Sequence, residues 1–171
     1  KKNVLVFGLI VGGILTGWML YMAARCYTNP KVENNDTIGY AAMVLVFSLI
    51  YVGVKNYRDK YLGGTIRFAT AFKTGFLISL VASTLYVVVW LVDYYIFIPD
   101  FLEAYSTHVL FQASLDGASQ ADLDAKAKQM ATFKELYENP VFVVLITYAE
   151  VLPPGLAVSL ISALILKRKP H

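Results

Sequence analysis

Apolar residues in this chain gather in four blocks, at residues 4–24, 38–54, 74–98 and 141–166. Each is near or above the length of about 17–25 residues that an α-helix needs to cross the hydrocarbon core of a bilayer. The second block is short and the third and fourth are long, which predicts tilt, kinking or projection beyond the hydrocarbon. Residues 100–138 differ in character, being rich in Ala, Gln, Lys, Asp and Glu with Gly117 near their centre. Phe101, Tyr105 and Val109 recur at helical spacing in the first half of this segment, and Leu123, Ala127, Met130, Phe133 and Tyr137 in the second. That is the pattern of an antiparallel helical pair. Ser119 with Asp122 marks the start of its second helix as a capping box, apart from the usual Glu or Gln at N3. The expected architecture is all-α, a polytopic membrane four-helix bundle with an extracytoplasmic helical hairpin between spans three and four, in one integral-membrane domain over residues 1–171.

Composition agrees, with 57% apolar and 16% charged residues and a mean hydropathy of +0.56, too hydrophobic for an ordinary soluble domain. The charges orient the spans. Lys1, Lys2, Lys55, Arg58, Lys60, Arg67, Lys73, Lys167, Arg168 and Lys169 all fall at the amino end, the second connection or the carboxyl end, and only Asp59 opposes them. In the first connection Arg25 and Lys31 balance Glu33 and Asp36, and in the third the acids exceed Lys126, Lys128 and Lys134. Basic residues near span ends stay on the cytoplasmic side, so both termini are expected there. Such a rim meets anionic headgroups favourably, and the pI of about 8.9 needs no nucleic-acid partner. Block one outlasts the h-region of about 7–15 residues found in a signal peptide and ends in Tyr21, Arg25 and Tyr27 without a convincing cleavage site, so it reads as a span. Cys26 is the single cysteine, which excludes an internal disulfide and leaves an inert thiol or an intermolecular contact.

Gly8, Gly12, Gly13 and Gly17 form two small-xxx-small pairs on span one, for packing inside the bundle or for a homodimer. Trp18, Tyr21 and Tyr27, with Trp90, Tyr94 and Tyr95 on span three, fall where an interfacial aromatic belt would lie. In the second connection Gly63 and Gly64 signal a turn. Ile66, Phe68, Ala69 and Phe72 then recur at helical spacing with Arg67 and Lys73 among them. This interfacial elbow, Gly63, Gly64, Phe68, Phe72 and Lys73, is either a short amphipathic helix in the headgroup plane or a basic anchor.

Glu150 lies deep inside the fourth block and is followed by Pro153, Pro154 and Gly155. An acid at mid-bilayer costs roughly 2.5–3.5 kcal/mol on insertion scales and so faces a partner, a cavity or a pathway. Neither proline can donate a backbone hydrogen bond, so the carbonyls of Ala149 and Glu150 lose their helical donors and the helix is expected to break there. Thr147 shares the face of Glu150. Asp93, near the outer end of span three, is either an interfacial carboxylate that reaches water or the second member of a proton-binding or cation-binding pair with Glu150. Arg25 is the possible charge partner for Asp93. His108, in the hairpin, reads as a solvated helix residue. No HExxH, GxSxG, Walker A or paired-cysteine pattern occurs, so no catalytic residue, metal site or cofactor is expected.

The run Gly63-Gly64-Thr65-Ile66-Arg67-Phe68, its continuation Ala71-Phe72-Lys73-Thr74-Gly75, Asp93-Tyr94, Asn139-Pro140, and Thr147 with Glu150 through Gly155 together resemble the domain of unknown function 4199 family, small multipass bacterial proteins. The resemblance covers nearly the whole chain, and the double-glycine-to-Phe-Lys segment is its most specific part. It implies a four-span protein of the bacterial cytoplasmic membrane and no established activity. Two functions fit these readings. One is a non-enzymatic membrane accessory or scaffold protein, with the lipid bilayer and a membrane protein partner or homodimer as its contacts. The other is a small carrier or lipid-linked substrate transporter that uses Glu150 at a proline-broken helix, with a lipid ligand.

Overall fold

The computed structural model describes residues 1–31 and 36–168, with side chains from residue 39 onward in the second segment. Glu33, Lys169 and the side chain of Asp36, counted in the charge pattern, lie outside the described residues. Among the described residues seven α-helices form: α1 (Lys2–Thr28), α2 (Asp36–Phe47), α3 (Leu49–Tyr61), α4 (Phe68–Val92), α5 (Phe101–Leu115), α6 (Gln120–Tyr137) and α7 (Pro140–Leu166). Four stretches are long and apolar enough to cross a membrane: α1, residues Gly39–Tyr61 of α2 and α3, residues Phe68–Phe97, and α7. At 1.5 Å per residue, the 27-residue α1 and α7 reach about 40 Å, beyond a hydrocarbon core of about 30 Å. The outer faces of the spans are apolar where a soluble protein would be polar, as at Leu45 of α2, which is 72% exposed.

Span two is longer than the block of apolar residues suggested, because α3 runs on through Lys55, Arg58 and Lys60 to Tyr61. It is interrupted at Ser48, whose hydroxyl donates to the Leu45 carbonyl and competes with the helical ladder. After α3 the chain turns through Gly63 and Gly64, with φ of +63° and +86°, and the Gly64 amide returns to the Arg58 carbonyl at 3.1 Å. The elbow forms no separate helix in the headgroup plane: Phe68, Phe72 and Lys73 occupy the first turns of the unbroken α4. Just past α7 the Arg168 amide donates to the Ile66 carbonyl at 2.9 Å and ties that segment to this turn.

Span three closes on a π-helical turn over Asp93–Phe97, with the Ile98 amide bonded to the Asp93 carbonyl at 2.9 Å. The hairpin α5–α6 follows. Its reversal is a Schellman motif at Gly117 (φ +79°), with Ala118 donating to Ala113 and Gly117 to Ser114. The capping box at Ser119 forms with Asp122 at N3, the shorter acid reaching back to the Ser119 amide at 3.2 Å. Asn139 caps α7 by accepting from the Val141 amide, and Pro140 stands in its first turn.

α4 is the centre of the bundle, packed along α1 on one side and α7 on the other, while α3 closes the basic end against all three. Of the α1 glycines, Gly8 lies against Ile78 and Val81 and Gly12 against Ala82 and Leu85, whereas Gly13 and Gly17 look into open space. The two pairs thus face opposite ways. Trp18, Tyr21 and Tyr27 are exposed, as a belt requires, but Trp90 and Tyr94 are not part of it. They are buried under the hairpin with Phe101 and Tyr137, because α5 and α6 fold back over the end of span three. His108 is likewise no solvated residue: it is 7% exposed, with Nδ1 3.0 Å from the Pro30 carbonyl, and joins the hairpin to the first connection.

Candidate functional site

α7 is continuous through Pro153 and Pro154, so the expected break does not occur. A proline in a helix loses one backbone bond and crowds the preceding turn, at a cost of about 3 kcal/mol in water. In a bundle the neighbours hold the backbone in place. Here Val151 is fully buried and Gly155 sits directly on Ser79 and Phe47. The proline-broken helix is therefore absent from the candidate site, and the site rests on its side chains.

The contacts of Gly75 with Ser159 and of Gly155 with Ser79 set the antiparallel register of α4 on α7. Two turns further on, the same register brings Tyr86 to the level of Glu150, and there Thr84 Oγ1 and the Tyr148 hydroxyl meet at 2.8 Å. On the other side of α4, the parallel register set by Gly8 and Gly12 carries Thr16 to the level of Tyr86. Glu150, Tyr86 and Thr16 thus form one layer of the bundle, contributed by three spans. Charge interactions from Glu150 reach the phenols of both Tyr86 and Tyr137, while its own carboxyl receives no hydrogen bond or ion pair among the described residues. Inward of this layer, Ser79 and Ser83 are fully buried, and their hydroxyls, with that of Thr16, have no hydrogen-bond partner among the described residues.

Thr147 is buried beside this layer. Its hydroxyl donates to the Val143 carbonyl at 2.7 Å and lies near the Tyr137 phenol, which accepts from Trp90 Nε1 at 3.3 Å. Burial pushes the Tyr137 phenol up, as expected for a hydroxyl closed off by aromatic rings. Asp93 stands apart, half-buried at the first residue of the π-helical turn, without a charge interaction to Glu150. Arg25 makes no ion pair with it; its guanidinium lies 5.7 Å from the centre of the Tyr21 ring, one turn back on the same helix. Among the described residues the ion pairs are Arg58–Asp59 and Lys134–Glu103, and no group of three metal-ligating side chains assembles. Cys26 is a buried free thiol.

The structure therefore joins Thr147 to Trp90 and Tyr137, places Glu150 level with Tyr86 and Thr16, and leaves Asp93 and Arg25 separate. Thr16, Ser79, Ser83 and Tyr86 escaped the sequence reading, although Gly75, Ser79 and Ser83 at successive turns already mark a stripe of small residues suited to close helix contact. A second missed group is Asn3, buried at the basic end, whose amide donates to the Gly53 carbonyl at 3.0 Å and accepts from Asn56 at 2.6 Å.

Fold and polar layer define a multi-pass membrane helical bundle capped by a helical hairpin. Its four spans are those implied by the resemblance. The chain belongs to the family described as Protein of unknown function (DUF4199), whose family model matches residues 6–168. No curated protein and no solved structure gives a significant match.

Proposed function

We propose that the protein is a non-enzymatic accessory or scaffold protein of the bacterial cytoplasmic membrane, with both termini cytoplasmic, that holds a membrane partner through its outer hairpin. The observation that supports this is the uneven cover of the apolar stripe on α6. Tyr137 and Phe133 at its base pack against Trp90, Tyr94 and Phe142, whereas Leu123 and Met130 are half-buried and Ala127 is exposed. An apolar helix face open at Ala127 and only half covered at Leu123 and Met130 suits a second apolar surface, and helix-in-groove contacts use this spacing. Gentle purification at native expression level, followed by mass spectrometry, should find a stoichiometric protein companion that Ala127→Asp releases while the hairpin remains folded. A companion retained equally by Ala127→Asp would end docking through this stripe.

A second reading, a small carrier, draws on the layer of Glu150, Tyr86 and Thr16 and on the unpartnered hydroxyls of Thr16, Ser79 and Ser83. Intramembrane acids commonly mark binding sites for ions or polar solutes. On this reading Glu150→Gln abolishes retention or movement of a bound small molecule and leaves the helical content unchanged. Retention that is the same in Glu150→Gln and in the parent protein would remove it.

A further inference from the structure

At the basic end, away from the polar layer and the hairpin, an open groove of about 650 Å³ lies between the start of α1, Tyr57 of α3 and the first turns of α4. Its chemistry is graded along its length. Lys1 and Lys73 line its charged part; both are exposed, and neither is in an ion pair among the described residues, whose ion pairs are Arg58–Asp59 and Lys134–Glu103. The hydroxyl-bearing residues of the groove are Tyr57, Thr70 and Thr74, and the Thr74 hydroxyl is engaged, donating to the Thr70 carbonyl at 2.8 Å. That leaves Tyr57 and Thr70 as donors to an occupant. The remaining wall is apolar, with Val4, Leu5 and Leu77, and Leu5 is 52% exposed on the outer face of α1.

Two cations on different spans, two hydroxyl donors and an apolar wall running into the membrane match one class of molecule by charge and by polarity. We infer that this groove binds an anionic glycerophospholipid, its phosphate between the Lys1 and Lys73 ammonium groups, with Tyr57 and Thr70 donating to it and an acyl chain along Val4, Leu5 and Leu77. Basic pockets between spans at the headgroup level recognise such lipids through the same combination of charge and shape. A groove of this volume is within the range of about 300–1,000 Å³ typical of ligand sites. The occupant would tie α1 to α4 at the end where the chain's carboxyl segment also meets the elbow.

The test is native mass spectrometry of the full chain released from micelles holding equal amounts of phosphatidylglycerol and phosphatidylcholine. One phosphatidylglycerol should be retained in preference, and Lys73→Gln should lower its retention about fivefold, as expected for loss of one lysine at the membrane surface. Lys60→Gln removes an equal charge from the same end outside the groove and should leave retention unchanged. Ala69→Trp, at an exposed groove position, keeps every charge and should expel the lipid by filling its place, with an unchanged circular dichroism melt showing that the bundle is intact. Equal retention of both lipids would overturn the inference. So would equal loss in Lys60→Gln and Lys73→Gln, which would mark a diffuse surface charge, or full retention in Ala69→Trp. Displacement of the lipid by glycerol phosphate alone would assign the site to a free phosphate ester and overturn it as well.

Discussion

The two ends of spans three and four are packed on opposite principles. Toward the basic end the helices approach through small residues: Gly75 meets Ser159, and Gly155 meets Ser79 so closely that an added Cβ would overlap the serine hydroxyl and lie 2.8 Å from Phe47. Toward the hairpin the outer ends of spans three and four pack instead on rings of α5 and α6, with Trp90 edge-on to Phe101 at 5.1 Å, Tyr94 edge-on to Tyr137 at 5.3 Å and Phe142 against Phe133 at 6.1 Å. The difference follows from the solvent on each side. Within the hydrocarbon, lipid tails are as apolar as leucine, so helices gain by close backbone approach and many short contacts. At the membrane boundary, where the hairpin meets the bundle, large rings bury area again, and their polar tips find partners, as the Trp90 and Tyr137 side chains do.

Overfilling the small-residue half is the strongest way to break this arrangement. Gly155→Leu has no room beside Ser79 and Phe47 and should destabilise the protein by about 3 kcal/mol, measured by reversible unfolding in mixed micelles. Removing the largest ring from the other half costs less. Trp90→Ala loses its pairs with Tyr94 and Phe101, about 2 kcal/mol in all, and the loss should appear as faster amide exchange in α5 and α6 while α7 stays protected. If exchange rises equally in α7, the two ends are one cooperative unit and do not pack independently.

The smallest effect is electrostatic and confined to the hairpin. Lys134, 2.7 Å from Glu103, holds the Glu103 carboxyl below its usual range, and the Ser119 hydroxyl does the same for Asp122. Both folded values are depressed, so their stabilisation is present above the unfolded carboxylate range of about 4 and is lost as pH falls through the lower folded values. Hairpin amides should therefore exchange faster, once corrected for the intrinsic rate, in that acid window. Glu103→Gln with Asp122→Asn should flatten the dependence. An acid-sensitive bundle beside an acid-insensitive hairpin would place the responsible carboxylates elsewhere.

Much of the framework was legible in the residues. The Ser119 and Asp122 cap, the Gly63-Gly64 turn and the helical pair on either side of Gly117 depend on side chains and backbone angles only a few residues apart. The candidate site was only partly legible. Glu150 and Thr147 were found because a polar residue in an apolar run is conspicuous. Ser79, Ser83 and Thr16 were passed over because a small hydroxyl residue is ordinary in a span until a partner helix buries it. The expected break at Pro153 and Pro154 failed for a related reason: the loss of a backbone donor is local, but whether the helix yields depends on what holds it from outside.

By itself, then, the sequence determined the number of spans, the helical hairpin, its caps and the uneven distribution of charge, since length, hydropathy and short-range capping chemistry are properties of the chain alone. Only the tertiary structure decided which way each span turns. A helix apolar on every side carries no record of which face meets lipid and which meets protein. Packing against α4 therefore chose between Gly8 and Gly12, which face inward, and Gly13 and Gly17, which do not. The same packing drew Trp90 and Tyr94 beneath the hairpin and set Glu150 level with Tyr86 and Thr16.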